Sequence, residues 1–262
     1  MHISFVLLKT YLRIVSVLIL SKYIIKKNMI PTFKKILISF ILLIASVCLS
    51  AQVLHQQRVI TDFTSIDIEG GFNVHLLQGD DEKVIIETNN TDVFKTIDIT
   101  NVSGTLTVRS SGLDSGGNYK VGLFIYFKSI DQVNARLLSG SFDSYTQLNL
   151  DRFDFTINGA MMVKLMLNCS DLQVKMSNVF TSIMQGIVSG NADLTLSTIK
   201  TFYAANLQTE TMTVTCSDIK NGTVWTNREL NVDAHGMGSL KYKGEPTIGS
   251  MTVKQPFTVG KE

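Results

Sequence analysis

The chain has 262 residues, of which 45% are hydrophobic and 18% are charged, so it is neither a disordered tail nor a polytopic membrane protein. Residues 1–51 carry seven Lys or Arg and no Asp or Glu, whereas residues 52–262 carry 17 basic and 22 acidic residues. An acidic body without clustered Lys or Arg argues against nucleic acids and anionic membranes as partners, because phosphates must be matched by positive charge.

Residues 29–51 have the order of a signal peptide. The basic pair Lys34 and Lys35 precedes an apolar run over residues 36–49, and Ala51 follows that run closely. This arrangement predicts export, with cleavage after Ala51. A retained membrane anchor is the alternative, but the run is shorter than the about 20 apolar residues that a membrane span needs.

Two further questions concern the N-terminal region. Lipidation of Cys48 is disfavoured because Val47 stands before it, where lipidation signals require a small residue.

Residues 1–28 form a second basic and apolar stretch, and we interpret them as a mis-annotated upstream extension, with translation starting at Met29. A transmembrane helix over residues 14–25 is the alternative, but this stretch is too short.

The following part of the chain, residues 52–130, is predicted to form short strands. Apolar residues alternate with period two, and Gly, Asn, Asp and Ser interrupt the pattern at short intervals. A flexible loop is predicted over residues 112–118, and a strand buried on both faces is predicted over residues 121–127. We expect a β-rich meander here. The other predicted strands centre on residues 66–68, 72–76, 84–86, 97–99 and 106–108.

Residues 131–262 contain a repeat. Similar apolar starts lie 18 to 22 residues apart, at Phe153, Leu172, Leu194, Met212, Leu230 and Met251. One strand per period of about twenty residues is typical of a solenoid, in which each repeat stacks on the next about 4.8 Å away. We therefore predict an all-β fold, a right-handed parallel β-helix over residues 131–262, continuous with residues 52–130 as one domain. An antiparallel sandwich with evenly spaced strands is the alternative.

The repeat frame makes two structural predictions. Four aliphatic residues share one frame position and should form an inward-facing ladder: Val174, Leu196, Val214 and Val232. Cys169 and Cys216 occupy different frame positions at least two repeats apart. Two repeats separate them by about 9.6 Å, beyond the roughly 7 Å limit between Cα atoms for a disulfide, so they should not be bonded.

Several segments resemble a known protein family. They are Phe63–Gly79, the strand Gly104–Val108, the turn Ser139–Ser141 and the closing segment Gly236–Pro246. Together they resemble the putative auto-transporter adhesin family with the head GIN domain, which comprises secreted or surface proteins abundant in Bacteroidetes-like bacteria. The resemblance extends over about residues 55 to 262 and implies an exported, adhesin-like β-solenoid. Its motif residues belong to turns and strands, and no catalytic residue is carried over.

The residues themselves provide little evidence for catalysis. His55, His75 and His235 each lack a second His, Cys or carboxylate at metal-ligand spacing. Nucleophile-elbow, Walker and dinucleotide-binding motifs are also missing from the sequence. We therefore assign no catalytic, cofactor-binding or metal-binding residue, and the ligand-binding residues remain unknown at this stage.

Aromatic residues of the repeat were considered as sugar-stacking groups. Large apolar side chains usually fill the interior, so Phe180 and Phe202 are predicted to lie in the core. The sequence leaves Tyr203 and Trp225 open between the core and an exposed surface.

These observations favour a non-enzymatic, exported β-solenoid that mediates adhesion to an extracellular glycan or a surface protein. It would need no cofactor, bind no nucleic acid and keep no stable membrane insertion after signal cleavage. Its location would be the periplasm, the outer surface or the extracellular space. The alternatives are a carbohydrate-active β-helix enzyme and a structural envelope protein without a specific ligand. A cleft holding two carboxylates within about 10 Å would favour the enzyme.

Overall fold

The computed structural model describes residues 53–111 and 121–262. The predicted upstream extension, the signal peptide and the predicted loop over residues 112–118 lie outside these residues. The described chain is all-β: fifteen strands join in one curled, open sheet, with a short 3-10 helix at Thr91–Lys95. Within this part of the chain, no helix has the length and apolar character of a membrane span.

The strands form where apolar and polar residues alternate. The first seven are β1 (Leu54–Val59), β2 (Ser65–Gly70), β3 (Asn73–Gln78), β4 (Lys83–Thr88), β5 (Ile97–Val102), β6 (Thr105–Ser110) and β7 (Gly122–Phe127). The others are β8 (Gln132–Leu137), β9 (Ser141–Ser144), β10 (Leu148–Asn149), β11 (Arg152–Cys169), β12 (Asp171–His235), β13 (Ser239–Lys243), β14 (Thr247–Val253) and β15 (Thr258–Lys261).

Parallel pairing between non-consecutive strands builds most of the sheet. Strand β2 lies between β6 and β8, and β3 lies between β7 and β9, all in parallel. Antiparallel pairing among the described strands is limited to β1 with β4, β4 with β7 and β5 with β6. The N-terminal part is therefore not a simple meander, because β2 and β3 belong to the parallel sheet that continues into β11.

The parallel register follows the sequence repeat. Phe153 pairs with Leu172, and the residues of β11 keep this 19-residue offset along their length. This pairing confirms the predicted alignment of the first two copies. The predicted start of the last copy was wrong, since Leu230 lies opposite Ile248 and Met251 lies opposite Val232.

Strand β12 changes direction along its length. It contains 65 residues, which would span about 210 Å if they were straight. Instead, the Asn178 side chain donates a hydrogen bond to Asn158 at 3.0 Å, and the Thr209 hydroxyl donates to the carbonyl of Trp225 at 3.0 Å. Each of these contacts joins residues 16 to 20 positions apart, so successive stretches of chain lie side by side. We call each such stretch a pass.

The core lies on the inner side of the sheet and is filled by every second residue. The inward placement of the four ladder residues is confirmed: Val174 and Val214 are fully buried, and Leu196 and Val232 are at most 2% exposed. Their common frame position was wrong at Leu196, because the corners at Asn178, Thr198 and Asp218 lie 20 residues apart and place Leu194 at the position of Val174 and Val214. The polar neighbours of the ladder residues, such as Thr213, point outward. Burial of this continuous apolar row is the main term that holds neighbouring passes together.

Two burial predictions were wrong. Strand β7 alternates between buried and half-buried residues, because Phe124 and Tyr126 lie on the uncovered outer face of the sheet. Phe180 is 47% exposed, because Asn178 turns the chain with φ +55° and Val179 then takes the inward position. Phe202, in contrast, is buried as predicted.

Strands β14 and β15 lie at an edge of the described part of the sheet. Among the described strands, β14 pairs only with β12, and β15 pairs only with β13. Both strands keep the parallel orientation, at offsets of 18 or 19 residues.

Candidate binding surfaces

The first candidate surface is a groove of about 570 Å³ that crosses several passes, which we call the corner groove. It follows the corners where the chain turns with positive φ, at Gly159, Asn178, Thr198 and Asp218. Thr198 has φ +54°, a conformation that is strained for a β-branched residue. The residue directly after each corner is buried, and the residue after that is exposed, so the groove is lined by side chains along its length. The exposed residues are Met161, Phe180, Lys200 and Lys220.

The lining of the corner groove changes from apolar to basic across the passes. Leu138 and Met161 are both 59% exposed, and Phe180 follows on the next pass. Lys200 and Lys220 occupy the corresponding stretch of the two passes after that. The Lys200 ammonium lies 4.0 Å from the centre of the Phe180 ring, which is a cation–π contact.

The two lysines of the corner groove form no ion pair with the described residues. Within residues 53–111 and 121–262, the lysines in ion pairs are Lys83, Lys95, Lys128 and Lys261 instead. Asp218 also lines the groove and keeps its negative charge, with its Oδ1 held by a hydrogen bond from the backbone N–H of Met237 at 3.0 Å. Two lysines and one aspartate therefore leave the groove with a small net positive charge on an otherwise acidic body.

The second candidate surface lies on the outer face of the sheet and is called the His75 cluster, comprising His75, Phe124, Asp143 and Tyr145. Phe124, His75 and Asp143 are in register on the neighbouring strands β7, β3 and β9. The His75 Nδ1–H donates to Asp143 Oδ1 at 2.9 Å. The ring centre of His75 lies 4.6 Å from that of Phe124 and 5.0 Å from that of Tyr145, which is 58% exposed.

A histidine held by a carboxylate is also half of a nucleophilic triad, so its other neighbours matter. No hydroxyl or thiol of the described residues forms a hydrogen bond with His75. Ser144, the nearest serine in sequence to Asp143, is buried and accepts a hydrogen bond from the backbone N–H of Met166 at 2.9 Å. The cluster therefore offers stacking and hydrogen bonding without an adjacent nucleophile.

The other histidines do not form a comparable site. His55 contacts Glu87 at 3.0 Å near the start of the described chain, and His235 is exposed beside a turn. No group of three or more His, Cys, Asp or Glu suitable for a metal ion occurs in the part of the chain that the structure describes.

The clearest pair of neighbouring carboxylates is already neutralised. Asp67 and Glu69 lie on the outer face of β2 and contact Arg109 at 2.5 and 3.6 Å. Glu69 also contacts Arg136 at 3.3 Å. These carboxylates act as counterions on an exposed sheet face, whereas acid–base catalysis needs a carboxyl group free to exchange its proton with a substrate.

The two aromatic residues left open by the sequence differ in access. Tyr203 is 40% exposed. The ring of Trp225 is covered by the Lys243 ammonium at 4.1 Å, and its Nε1–H donates to Asn227 Oδ1 at 3.1 Å.

Sequence reasoning missed the His75 cluster because its members come from separate strands. His75 and Asp143 are 68 residues apart, and only the parallel register of β3 with β9 brings them together. Their outward positions within alternating segments were visible in the sequence, but the pairing of the two strands was not.

The turns and strands described above match a known family over most of their length. The model of the putative auto-transporter adhesin, head GIN domain family matches residues 62–246. The chain belongs to this family. The head GIN domain match includes both candidate surfaces, and it confirms the family resemblance inferred from the turn and strand motifs.

Solved structures share the fold of this head GIN domain protein at low sequence identity. A putative adhesin from Bacteroides fragilis is 19% identical with a TM-score of 0.61, covering 81% of this chain and 98% of that one. A putative adhesin from Parabacteroides merdae is 18% identical with a TM-score of 0.53, covering 81% and 97%. A putative lipid binding protein from Parabacteroides distasonis is 16% identical with a TM-score of 0.51, covering 81% and 97%. No curated protein matches the sequence.

Proposed function

We propose that this protein is an exported, non-enzymatic, adhesin-like protein that binds an extracellular glycan or a surface protein. The observation that carries the proposal is the corner groove, where exposed Leu138, Met161 and Phe180 adjoin the unpaired charges of Lys200 and Lys220. Contiguous exposed apolar residues mark interaction surfaces in proteins of this size. The family and its structural neighbours carry adhesin names, which supports the same role.

The basic end of the corner groove indicates what kind of partner it would hold. Because the ammonium groups of Lys200 and Lys220 adjoin apolar side chains, the best fit is an extended, acidic segment with apolar groups. A partner of this kind would lie across several passes, along the row of corners.

The proposal includes a fold and a processing scheme. The 18- and 19-residue parallel offsets support a right-handed parallel β-helix over residues 131–262, since parallel crossovers are right-handed in nearly all proteins. Residues 29–51 act as the signal peptide, residues 1–28 are an upstream extension, and residues 52–130 are the N-terminal portion of one domain. The mature protein would be periplasmic, on the outer surface or extracellular.

A second candidate function rests on the same groove. An anionic amphiphile could place its acyl chain over Leu138, Met161 and Phe180 and its head group against Lys200. The lipid-binding name of the Parabacteroides distasonis neighbour favours the same class of ligand.

Binding measurements on purified protein distinguish these functions. The protein is screened on an array of glycans and extracellular proteins, and separately titrated with dodecanoate by calorimetry. The adhesin-like role predicts array binding that is lost in Phe180→Ala and in the double variant Lys200→Gln, Lys220→Gln. The exposed Lys175→Gln is the matched control and should bind normally.

The other outcomes would contradict the adhesin-like role. Dodecanoate binding without array binding identifies the amphiphile function, and turnover of an arrayed polysaccharide identifies an enzyme. A protein that binds neither probe and turns over nothing would contradict both binding functions. Export is checked by the intact mass of the secreted protein, which should begin at Gln52; a secreted product that retains Lys34 would contradict the processing scheme.

A further inference from the structure

We infer that the His75 cluster is a separate binding site for a neutral pyranose ring of a glycan. This inference rests on the proposed binding function, but it names a surface outside the corner groove and a ligand class for it. It follows from the arrangement of the rings, from the carboxylate beside them and from the open outer face of the sheet.

The rings of the cluster form a small apolar platform. The Phe124 and Tyr145 ring centres lie 6.0 Å apart, and His75 sits between them. Because the Tyr145 ring meets His75 nearly edge-on, with an interplanar angle of 80°, the platform has a step rather than a flat surface. A pyranose presents an apolar C–H face that fits against such rings, while a flat aromatic ligand would not lie against both planes at once.

The polar groups around the platform match the hydroxyls of a sugar. Asp143 uses Oδ1 to accept from His75, and its other carboxylate oxygen remains available as an acceptor for a hydroxyl. The hydrogen bond from His75 fixes the orientation of the carboxylate, so the acceptor is in place before a ligand arrives.

The charge beside the platform selects among sugars. The Asp143 side chain is only 26% exposed, so a carboxylate on the ligand would meet its negative charge with little water between them. A neutral hexopyranoside avoids this repulsion and can donate its hydroxyl proton to the same carboxylate. The site therefore disfavours uronic acids, in contrast to the basic corner groove, which attracts negative charge.

The test uses ligand-observed NMR with the purified protein and methyl β-D-galactopyranoside as the probe. Saturation should pass from the protein to the ring C–H protons of the probe. The Tyr145→Ala variant should weaken binding about fivefold through loss of stacking. Phe180→Ala is the matched control, because it removes an exposed ring from the corner groove and should leave sugar binding unchanged.

Further probes define the ligand class. Sorbitol, an acyclic polyol without a ring face, and methyl β-D-glucuronide should both bind more weakly than the galactoside. Asp143→Asn should reduce the preference for the galactoside over the glucuronide, because the amide lacks the negative charge of the carboxylate.

Several results would overturn the inference. The inference is wrong if the galactoside does not bind, or if sorbitol binds as tightly as the galactoside. It is also wrong if Tyr145→Ala and Phe180→Ala weaken galactoside binding equally. Array binding that depends on Phe180 but not on Tyr145 would leave the proposed function intact while removing this second site. Thermal melts of Tyr145→Ala identify a folding defect, and Tyr145→Leu then serves in its place, since it keeps apolar volume without an aromatic ring and should also weaken binding.

Discussion

Burial alters the chemistry of the two cysteines in the described part of the chain. Cys169 and Cys216 are both buried and unpaired. Removal from water disfavours the thiolate and raises the pKa of each thiol to about 12, with the nearby charges of Asp171 and Asp233 acting in the same direction. Neither thiol is therefore expected to act as a nucleophile in the folded protein.

We predict that both thiols resist alkylation at pH 8 until the protein unfolds. The thiolate is the reactive form, and at pH 8 it is a very small fraction of a thiol with a pKa of about 12. Iodoacetamide labelling followed by peptide mass mapping, with and without denaturant, measures the reaction. Rapid labelling of Cys216 in the folded protein would show that its environment is more open than the structure indicates.

Gly186 lies where two neighbouring passes come very close together. Gly186 has φ +122°, and a Cβ atom placed there would lie 1.8 Å from the carbonyl oxygen of Leu167 on the adjacent pass. A side chain at this position would both strain the backbone and push the two passes apart. Gly79 differs, because a Cβ atom there would meet no atom within 4 Å.

Gly186→Ala should therefore destabilise the protein by about 3 kcal/mol or more, whereas Gly79→Ala should change the free energy of unfolding by less than about 0.5 kcal/mol. Denaturant titration of both variants gives the comparison. Equal stability of the two variants would mean that the passes can separate at Gly186 without cost.

At the scale of the element, the alternation of each strand decides which substitutions matter. Val214 is fully buried in the inward ladder, and Thr213 is exposed beside it. Val214→Asp buries a charge without a partner and should cost several kcal/mol, whereas Thr213→Asp should cost under about 1 kcal/mol. Thermal melts check this pair, and two equally harmless substitutions would contradict the inward placement of the ladder.

The elements also show how far the sequence predicts the fold. Alternation with period two and a spacing near twenty were sufficient to place the inward ladder and to align Phe153 with Leu172. They failed at Phe180, where a corner in the left-handed region changed the parity of the chain, and at Met251, where the predicted spacing of 21 residues exceeds the pairing offset of 18 or 19 residues. Such a change of parity depends on the sign of φ at a single residue. The residue type does not specify that sign at a non-glycine position such as Asn178.

The candidate sites were harder to predict than the fold. To predict the His75 cluster, one must know the order of strands β7, β3 and β9 across the sheet. These strands are not consecutive in the chain. To predict the corner groove, one must know which side chain each corner exposes, and the alternation pattern does not specify this. Residue types alone therefore could not indicate either surface.

At the scale of the whole molecule, hydrogen bonding connects each pass mainly to the passes before and after it. In the C-terminal half, the partners of a residue lie 18 or 19 positions away, as for Gly222 with Leu240 and Ser239 with Thr258. Stability in such a chain is close to a sum over neighbouring passes, so damage at one pass spreads to its neighbours first.

This arrangement has a mechanical consequence for the proposed adhesin-like role. Among the described strands, β14 pairs only with β12 and β15 pairs only with β13, so a force applied at Glu262 acts first on the outermost of these passes. Each detached pass would release 18 or 19 residues, or about 65 Å of extended chain, before the next pass bears the load. Optical-tweezer extension from the C-terminus should show a series of small, evenly spaced lengthening steps, in contrast to the single large rupture expected if all passes gave way together. Stepwise yielding would let the molecule dissipate a sudden pull while its N-terminal passes, including the His75 cluster, stay folded.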